Sequence, residues 1–168
     1  VGVGLAAGAV VAGNVAAGKV LGGLAQGSRD LDEAFATPPT NPNVTAGPGS
    51  ALTITELGRE GARFVGTVAP PEGIVEVTGK QPVASPVRVF VGHDSADTPE
   101  QRVGLAMAEL RRTGAFDRAH LLVQAPAGTG YANPTPVDVL ELLTLGDCAS
   151  VAVGYGLFIA RPEGNVVA

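Results

Sequence analysis

Three strand-like runs separated by two helix-like runs constrain the fold of residues 86–156 more than any other feature of the chain. The strand signals are PVRVFVGH at residues 86–93, HLLVQAP at 120–126 and ASVAVGYG at 149–156. Short links join them to the intervening helices. Strands joined through helices pair in parallel, and a parallel sheet is covered by helices on both faces. We therefore predict an α/β fold, a three-layer parallel sheet flanked by helices.

The first of these helices has clear signals at both ends. Asp97 or Thr98 is suited to cap it, Pro99 occupies its first position, and Gly114 ends it. Right-handed crossovers then place the loops that follow the strands along one edge of the sheet, where α/β folds bind ligands. We expect any functional site at that edge.

The charges and the rare residue types exclude several classes of function. The net charge is −5 without a basic stripe, so we expect no nucleic-acid partner. The single cysteine, Cys148, excludes an internal disulfide and a multi-cysteine metal site. His93 and His120 are not spaced like helical zinc ligands, so we expect neither a metal nor a cofactor. Asp138 and Glu141 are interpreted as a solvated helix face.

The N-terminal part of the chain is unusually apolar. Residues 1–18, VGVGLAAGAVVAGNVAAG, carry no charge, and the weakly polar run extends to residue 27. A membrane-spanning helix needs about 20 apolar residues. For residues 1–36 we predict an apolar helix of membrane or packing type, followed by a short capped helix at 28–36. The membrane interpretation predicts location in a bacterial inner membrane and contact with membrane lipid.

A segment rich in proline and glycine separates this region from the α/β pattern. Residues 37–50, TPPTNPNVTAGPGS, are incompatible with a long helix or strand, and we predict a linker over residues 37–56. We assign residues 57–168 to the α/β domain. At its start we expect a helical turn leading into a strand at residues 64–68, and an edge strand at 74–77.

The glycine-rich stretch PAGTGY at residues 126–131 follows a strand and precedes a helix. Three functions are consistent with it. Such a loop can bind phosphate, but a phosphate-binding P-loop has a Lys-Ser/Thr pair after its last glycine, and Tyr131-Ala132 stands there. It can also form an oxyanion hole, in which backbone N–H groups stabilise the charge of an acyl-transfer intermediate. Alternatively, it is a tight connection that needs positive φ.

The second half of the chain resembles the actinobacterial membrane-associated α/β-hydrolase family, which has an N-terminal transmembrane block followed by a hydrolase domain. The similarity also extends to residues 57–65, LGREGARFV, which resemble the connector between the two parts. Five stretches carry most of the resemblance: SADTPEQR at 95–102, RTGAFDR at 112–118, GTGY at 128–131, GD at 146–147 and VAVGY at 151–155.

The resemblance implies a site but no complete catalytic machinery. It implies that Gly128, Thr129 and Gly130 are oxyanion-hole candidates. Three further residues are expected to line the pocket, namely Tyr131, His93 and Asp94. The serine nucleophile of α/β-hydrolases lies in a G-x-S-x-G elbow, and this motif does not occur in the sequence. We therefore identify no catalytic residue, and we expect the chain to be the N-terminal part of a longer hydrolase.

Two functions are the main hypotheses, beside a nucleotide-binding function that rests only on the glycine-rich stretch. In the first, the chain is part of a membrane-anchored serine hydrolase that cleaves a small ester or lipid-like acyl substrate. In the second, it is a non-catalytic, membrane-tethered α/β module that binds a partner or assembles as a homo-oligomer. Small residues at Gly4, Gly8 and Gly22 favour close helix packing in the second hypothesis.

Overall fold

The structure is a computed structural model that describes residue 27 and residues 29–155. The predicted apolar N-terminal helix and the residues after 155 lie outside this part. The helices and strands are α1 Ile54–Gly66, α2 Pro71–Thr78, β1 Val87–Val91, α3 Pro99–Arg112, β2 His120–Gln124, α4 Pro134–Leu143 and β3 Cys148–Val153. Short 3₁₀ turns occupy Glu33–Phe35, His93–Ser95 and Ala115–Asp117.

The three strands form one parallel sheet in the order β1-β3-β2. Val89 of β1 and Val123 of β2 both lie opposite Val151 of β3. This confirms the predicted parallel α/β architecture. Because all three strands run in the same direction, their carboxyl ends meet at one edge of the sheet.

Helices cover both faces of the sheet around β1. Arg88 and Phe90 lie on one face, where Arg88 contacts Phe64 of α1 and Glu141 of α4. The alternate residues of β1 are also fully buried, and α3 packs against β1 and β3 on that opposite face. The outer strand β2 is covered less completely, since Val123 is 75% exposed.

The predicted ends of α3 are confirmed. The hydroxyl of Thr98 accepts a hydrogen bond from the N–H of Gln101 at 3.2 Å, and the Gln101 side chain accepts from the Thr98 N–H at 3.1 Å. Pro99 is the first helical residue, and Gly114 beyond the helix adopts a left-handed conformation with φ 65°. The reciprocal hydrogen bonds between Thr98 and Gln101 form a capping box, which pairs backbone N–H groups that the start of a helix leaves without a partner.

Two predicted strands are wrong, because both segments are helices. The strand expected at residues 64–68 is largely the end of α1, whose start is fixed by the Thr53–Glu56 capping box and whose apolar residues recur at helical spacing. The strand expected at residues 74–77 lies in α2, which begins at Pro71 and ends at Gly79 in a left-handed conformation.

The segments before α1 also differ from expectation. Within the short helix predicted over residues 28–36, Arg29 is helical, and a separate 3₁₀ turn, capped by Asp32, forms at Glu33–Phe35. Part of the predicted linker packs on the sheet, since Val44 and Thr45 are fully buried. The N–H of Thr45 donates to the Arg88 carbonyl at 3.1 Å, which adds a short parallel bridge at the outer edge of β1.

A buried ion pair joins α4 to β1. The Arg88 side chain is fully buried and donates to the Glu141 carboxylate from Nε at 2.6 Å and from Nη2 at 2.9 Å. Asp138, which is 49% exposed, accepts from Nη2 at 2.7 Å. The interpretation of Glu141 as solvated is therefore wrong, because its side chain is 1% exposed and neutralises a buried guanidinium.

Candidate functional site

A small cleft lies at the carboxyl ends of the three strands. Its walls are residues 92–94 after β1, residues 128–130 after β2, Gly154 after β3, and Arg29, Phe90 and residues of α1. The cavity volume is about 40 Å³. A water molecule needs roughly 10–15 Å³ by this measure, so the enclosed part of the cleft fits a carbonyl-sized polar group.

Five of the six residues predicted for the site line this cleft together: Gly128, Thr129, Gly130, His93 and Asp94. Tyr131 is not among the lining residues, and its side chain is 41% exposed. The structure therefore brings the glycine turn and the His-Asp pair to one site, although they are more than 30 residues apart in the sequence.

The glycine turn is closed by two backbone hydrogen bonds. The N–H of Gly130 donates to the Ala127 carbonyl at 2.7 Å, and the N–H of Ala127 donates to the Tyr131 carbonyl at 2.8 Å. Gly130 has φ +88°, a conformation that glycine adopts without steric cost. The Gly130 N–H is already paired within the turn, so Gly130 stabilises the turn conformation and has no backbone N–H left to donate to a ligand.

Two N–H groups of the same turn have no partner in the described part of the chain. No described residue accepts a hydrogen bond from the backbone N–H of Gly128 or Thr129. Gly128 is partly buried and Thr129 is exposed, so both N–H groups can pair with water or with a ligand. The turn that lines the cleft therefore offers two donors to a bound acceptor.

Close backbone packing fixes the opposite wall. Gly92 follows β1, and a Cβ added there would collide with the carbonyl oxygen of Glu56 in α1. A Cβ at Gly154 would lie 2.9 Å from the N atom of His93. The Gly154 N–H donates to the Val91 carbonyl at 2.8 Å. Glycine is needed at both strand ends because main chain meets main chain there.

A buried arginine of α3 donates hydrogen bonds to the turn after β1. Arg102 of α3, 2% exposed, donates to the carbonyls of His93 at 3.3 Å and Ala96 at 2.7 Å. The hydroxyl of Ser95 accepts from the Gly92 N–H and donates to the Glu56 carbonyl, each at 3.1 Å. These contacts fix the backbone from which the His93 and Asp94 side chains project.

An ion pair crosses the mouth of the cleft. Arg29 donates to Asp94 from Nε at 2.6 Å and from Nη2 at 3.2 Å, and Nδ1 of His93 lies 3.2 Å from the same carboxylate. The hydrogen bond from Arg29 is the main cause that lowers the pKa of Asp94 to about 2. Asp94 is therefore ionised, and an acceptor only, at any pH above about 4.

Other reactive groups are absent from the described part of the cleft. No serine or cysteine lines it, and no three His, Cys, Asp or Glu residues of the described region are grouped to hold a metal ion. Cys148 is buried at the amino end of β3, on the far edge of the sheet, where burial raises the pKa of its thiol. A thiolate nucleophile is not available there.

Several lining residues were not predicted from the sequence. Gly92 and Gly154 carry a usable signal, because each glycine follows directly on an apolar strand. Arg29 and the α1 residues Glu56, Gly58 and Glu60 carry none, because long-range packing brings them to the cleft. Gly58, with φ 68°, interrupts the helical conformation of α1 beside the cleft.

The sheet, its helical layers and a cleft at the strand ends define an α/β protein. The alpha/beta-hydrolase family model matches residues 87–160, which contain all three strands, the glycine turn and the His-Asp pair. The match covers less than half of the chain and supports a hydrolase-like fold for this part. Comparisons with curated proteins and with solved structures found no match.

The structure also bears on the predicted membrane contact. Within residues 29–155, no helix has the length and apolar character needed to cross a membrane. The apolar run at residues 1–18 lies outside the described part.

Proposed function

We propose that this chain contributes the opening strands and the oxyanion-binding turn of a serine hydrolase acting on a small ester or lipid-like acyl group. One observation carries the proposal: the turn that lines a cleft at the carboxyl ends of the parallel strands has two N–H groups, at Gly128 and Thr129, that no described residue pairs. The match of residues 87–160 to the alpha/beta-hydrolase family supports it.

The chemistry follows from the donors. When a nucleophile attacks an ester carbonyl, negative charge develops on the carbonyl oxygen. N–H groups fixed before the reaction stabilise that charge without reorganising, and one such donor is worth roughly 10²–10³ in kcat. The small cleft volume suits a carbonyl group, while the rest of the acyl chain would extend outside the enclosed space.

The nucleophile has to come from elsewhere in the protein. No G-x-S-x-G elbow occurs in the 168 residues, and no serine lines the described cleft. We assign the nucleophilic serine to a part of the full-length protein outside this sequence, reaching the cleft at the carboxyl ends of the strands.

Activity of the full-length protein tests this proposal. We expect it to hydrolyse p-nitrophenyl butyrate and to be labelled on one serine by a fluorophosphonate probe. Pretreatment with the probe should abolish hydrolysis. A full-length protein that is folded by circular dichroism, shows no hydrolysis and takes up no label would contradict the proposal.

We further propose that the hydrolase is anchored in the bacterial inner membrane, where it contacts membrane lipid. The uncharged residues 1–18 support this placement, because they supply most of the length that a membrane span requires. Fractionation tests it: the protein should stay in the membrane pellet after washing with carbonate and enter detergent. Release by carbonate would contradict the anchor and leave the hydrolase proposal unaffected.

One observation favours the non-catalytic alternative, namely the absent nucleophile elbow. In that case the α/β layers would serve partner binding or assembly of a homo-oligomer, with membrane association through the N-terminal run. The same labelling experiment distinguishes the two functions. An unlabelled, inactive protein that crosslinks to itself in membranes would favour the alternative.

A further inference from the structure

One carboxylate that lines the cleft has no partner in the described part of the chain. Glu60 of α1 is partly buried and lines the cleft together with the glycine turn. No described residue pairs with its carboxylate through a hydrogen bond or an ion pair. A partly buried carboxylate interacts with a cation more strongly than a fully exposed one, because less water separates and screens the two charges. Glu60 is therefore available to a positively charged group of a ligand.

The other two carboxylates of the cleft already have partners. Asp94 accepts two hydrogen bonds from Arg29, and Glu56 accepts from the N–H and the hydroxyl of Thr53 at 2.7 Å and 2.6 Å. Arg29 is the only arginine or lysine among the residues that line the described cleft. Three carboxylates and one guanidinium therefore line it, and this excess of negative charge disfavours an anionic substrate and favours a cationic one.

Glu60 lies close to the N–H groups that are proposed to hold the carbonyl oxygen. A Cβ added to Gly130 would lie 3.9 Å from Cβ of Glu60 and 3.8 Å from Cζ of Phe90. Gly130 belongs to the same turn as Gly128 and Thr129, which carry the two proposed donors. A substrate whose carbonyl oxygen reaches those donors therefore has an aromatic ring edge beside it for methylene groups, and a carboxylate for a charged end.

We propose that Glu60 is a specificity-determining residue that selects esters carrying an alkylammonium group; this rests on the proposed acyl-hydrolase function. The ammonium group donates a charge-assisted hydrogen bond to the Glu60 carboxylate, while the ester carbonyl accepts from the N–H groups of Gly128 and Thr129. The contact lies away from the reacting carbon, so it stabilises the bound ester and the transition state equally. Its effect therefore falls on KM and leaves kcat nearly unchanged.

Hydrolysis of two matched ester pairs by the full-length protein tests the selectivity. The charged members are the methyl ester of ε-aminocaproic acid and ω-aminopentyl butyrate, which carry the charge on the acyl side and on the alcohol side. The neutral members are methyl heptanoate and hexyl butyrate, which have a methyl group in place of the ammonium group. At low salt we expect at least one charged ester to exceed its neutral counterpart in kcat/KM by about 3- to 10-fold, through a lower KM. The preference should shrink at high salt, because salt screens a charge pair at a partly exposed carboxylate.

Glu60→Gln is the test variant and Glu76→Gln its matched control. Glu76 is exposed on α2 and does not line the cleft, so the two variants change the net charge equally and differ in position. In Glu60→Gln the ratio of kcat/KM between charged and neutral ester should fall close to one, whereas Glu76→Gln should keep the wild-type ratio. Circular dichroism establishes that both variants are folded. A wild-type ratio at or below one in both pairs, or a ratio that Glu60→Gln leaves unchanged, would overturn the proposal.

Binding of pentylammonium separates this proposal from the proposed hydrolase function. In an NMR titration we expect pentylammonium chloride, and not n-pentanol, to shift the backbone amide signals of Thr129 and Gly130 in the wild type and in Glu76→Gln, but not in Glu60→Gln. If this binding occurs and neither the ester pairs nor p-nitrophenyl butyrate are hydrolysed, the hydrolase function fails and the cation-binding role of Glu60 stands. Hydrolysis of p-nitrophenyl butyrate with no charge preference and no pentylammonium binding would overturn the role of Glu60 and leave the hydrolase function intact.

Discussion

Replacing Glu141 by alanine tests the buried ion pair that fixes α4 against the sheet. The variant would leave the guanidinium of Arg88, which is fully buried, with Asp138 as its remaining carboxylate partner. It would also remove the acceptor for the Ala69 N–H, which donates to Glu141 at 2.9 Å. Breaking one half of a buried pair costs about 3–5 kcal/mol.

That cost should be visible in equilibrium unfolding. For a chain of this size, each kcal/mol lowers the midpoint of thermal unfolding by about 2–4 °C, so we expect a fall of roughly 6–20 °C. Urea unfolding followed by circular dichroism should give the same free energy with an unchanged m-value.

Two further variants make this result specific. Asp138→Asn alters the half-exposed partner of the same arginine and should cost only about 0–1 kcal/mol. The double variant Arg88→Met with Glu141→Leu removes both charges and should regain much of the loss, because no unpaired charge stays buried. If Glu141→Ala is no more destabilising than Asp138→Asn, the reasoning is refuted.

Three other predictions concern Asp94, Cys148 and Gly130. By NMR, the pKa of the Asp94 carboxyl should be about 2 in the wild type and should rise towards its ordinary value of 3.8 in Arg29→Gln. The small stability that the ionised carboxyl contributes is present above pH 3.8 and is lost as pH falls through about 2. An Asp94 pKa that is the same in the variant as in the wild type would contradict the Arg29 contact. Cys148 is fully buried, and burial raises the pKa of its thiol. Ellman's reagent should therefore react with Cys148 only after the protein is unfolded in urea. Rapid reaction of the native protein would refute this burial. Gly130→Ala should lower the free energy of unfolding by about 1–2 kcal/mol through backbone strain alone, because φ is +88° and no atom lies closer than 3.8 Å to the added Cβ. The control Gly104→Ala, on the open face of α3, should raise it by about 0.5–1 kcal/mol. Equal effects of the two variants would show that a side chain does not strain the turn.

The sheet could be predicted because its information is local. Each strand is a short run of β-branched or apolar residues, and Thr98, Pro99 and Gly114 define the ends of α3 by capping alone. Parallel pairing then follows from the helical connections. The carboxyl edge of the sheet, and with it the neighbourhood of His93 and the glycine turn, could be deduced from this topology.

The incorrect predictions concern segments and side chains whose structure is determined by tertiary contacts. Residues 64–68 and 74–77 contain apolar and β-branched residues that suit a short strand, but helix caps and tertiary packing select helices. α1 packs against Phe35 and β1, and α2 packs against α4. The burial of Glu141 could not be deduced either, because its partner Arg88 lies 53 residues away on a strand otherwise composed of apolar residues. The same holds for Arg29, which reaches Asp94 across 65 residues.

The oxyanion role of the glycine turn is the central claim, and deleting single N–H groups tests it most directly. In the full-length protein, amide-to-ester replacement at residue 128 and at residue 129, made one at a time, removes one candidate donor while keeping the side chain. We expect at least one replacement to lower kcat for p-nitrophenyl butyrate by about 100- to 1000-fold, with KM little changed. Wild-type kcat in both proteins would contradict the account.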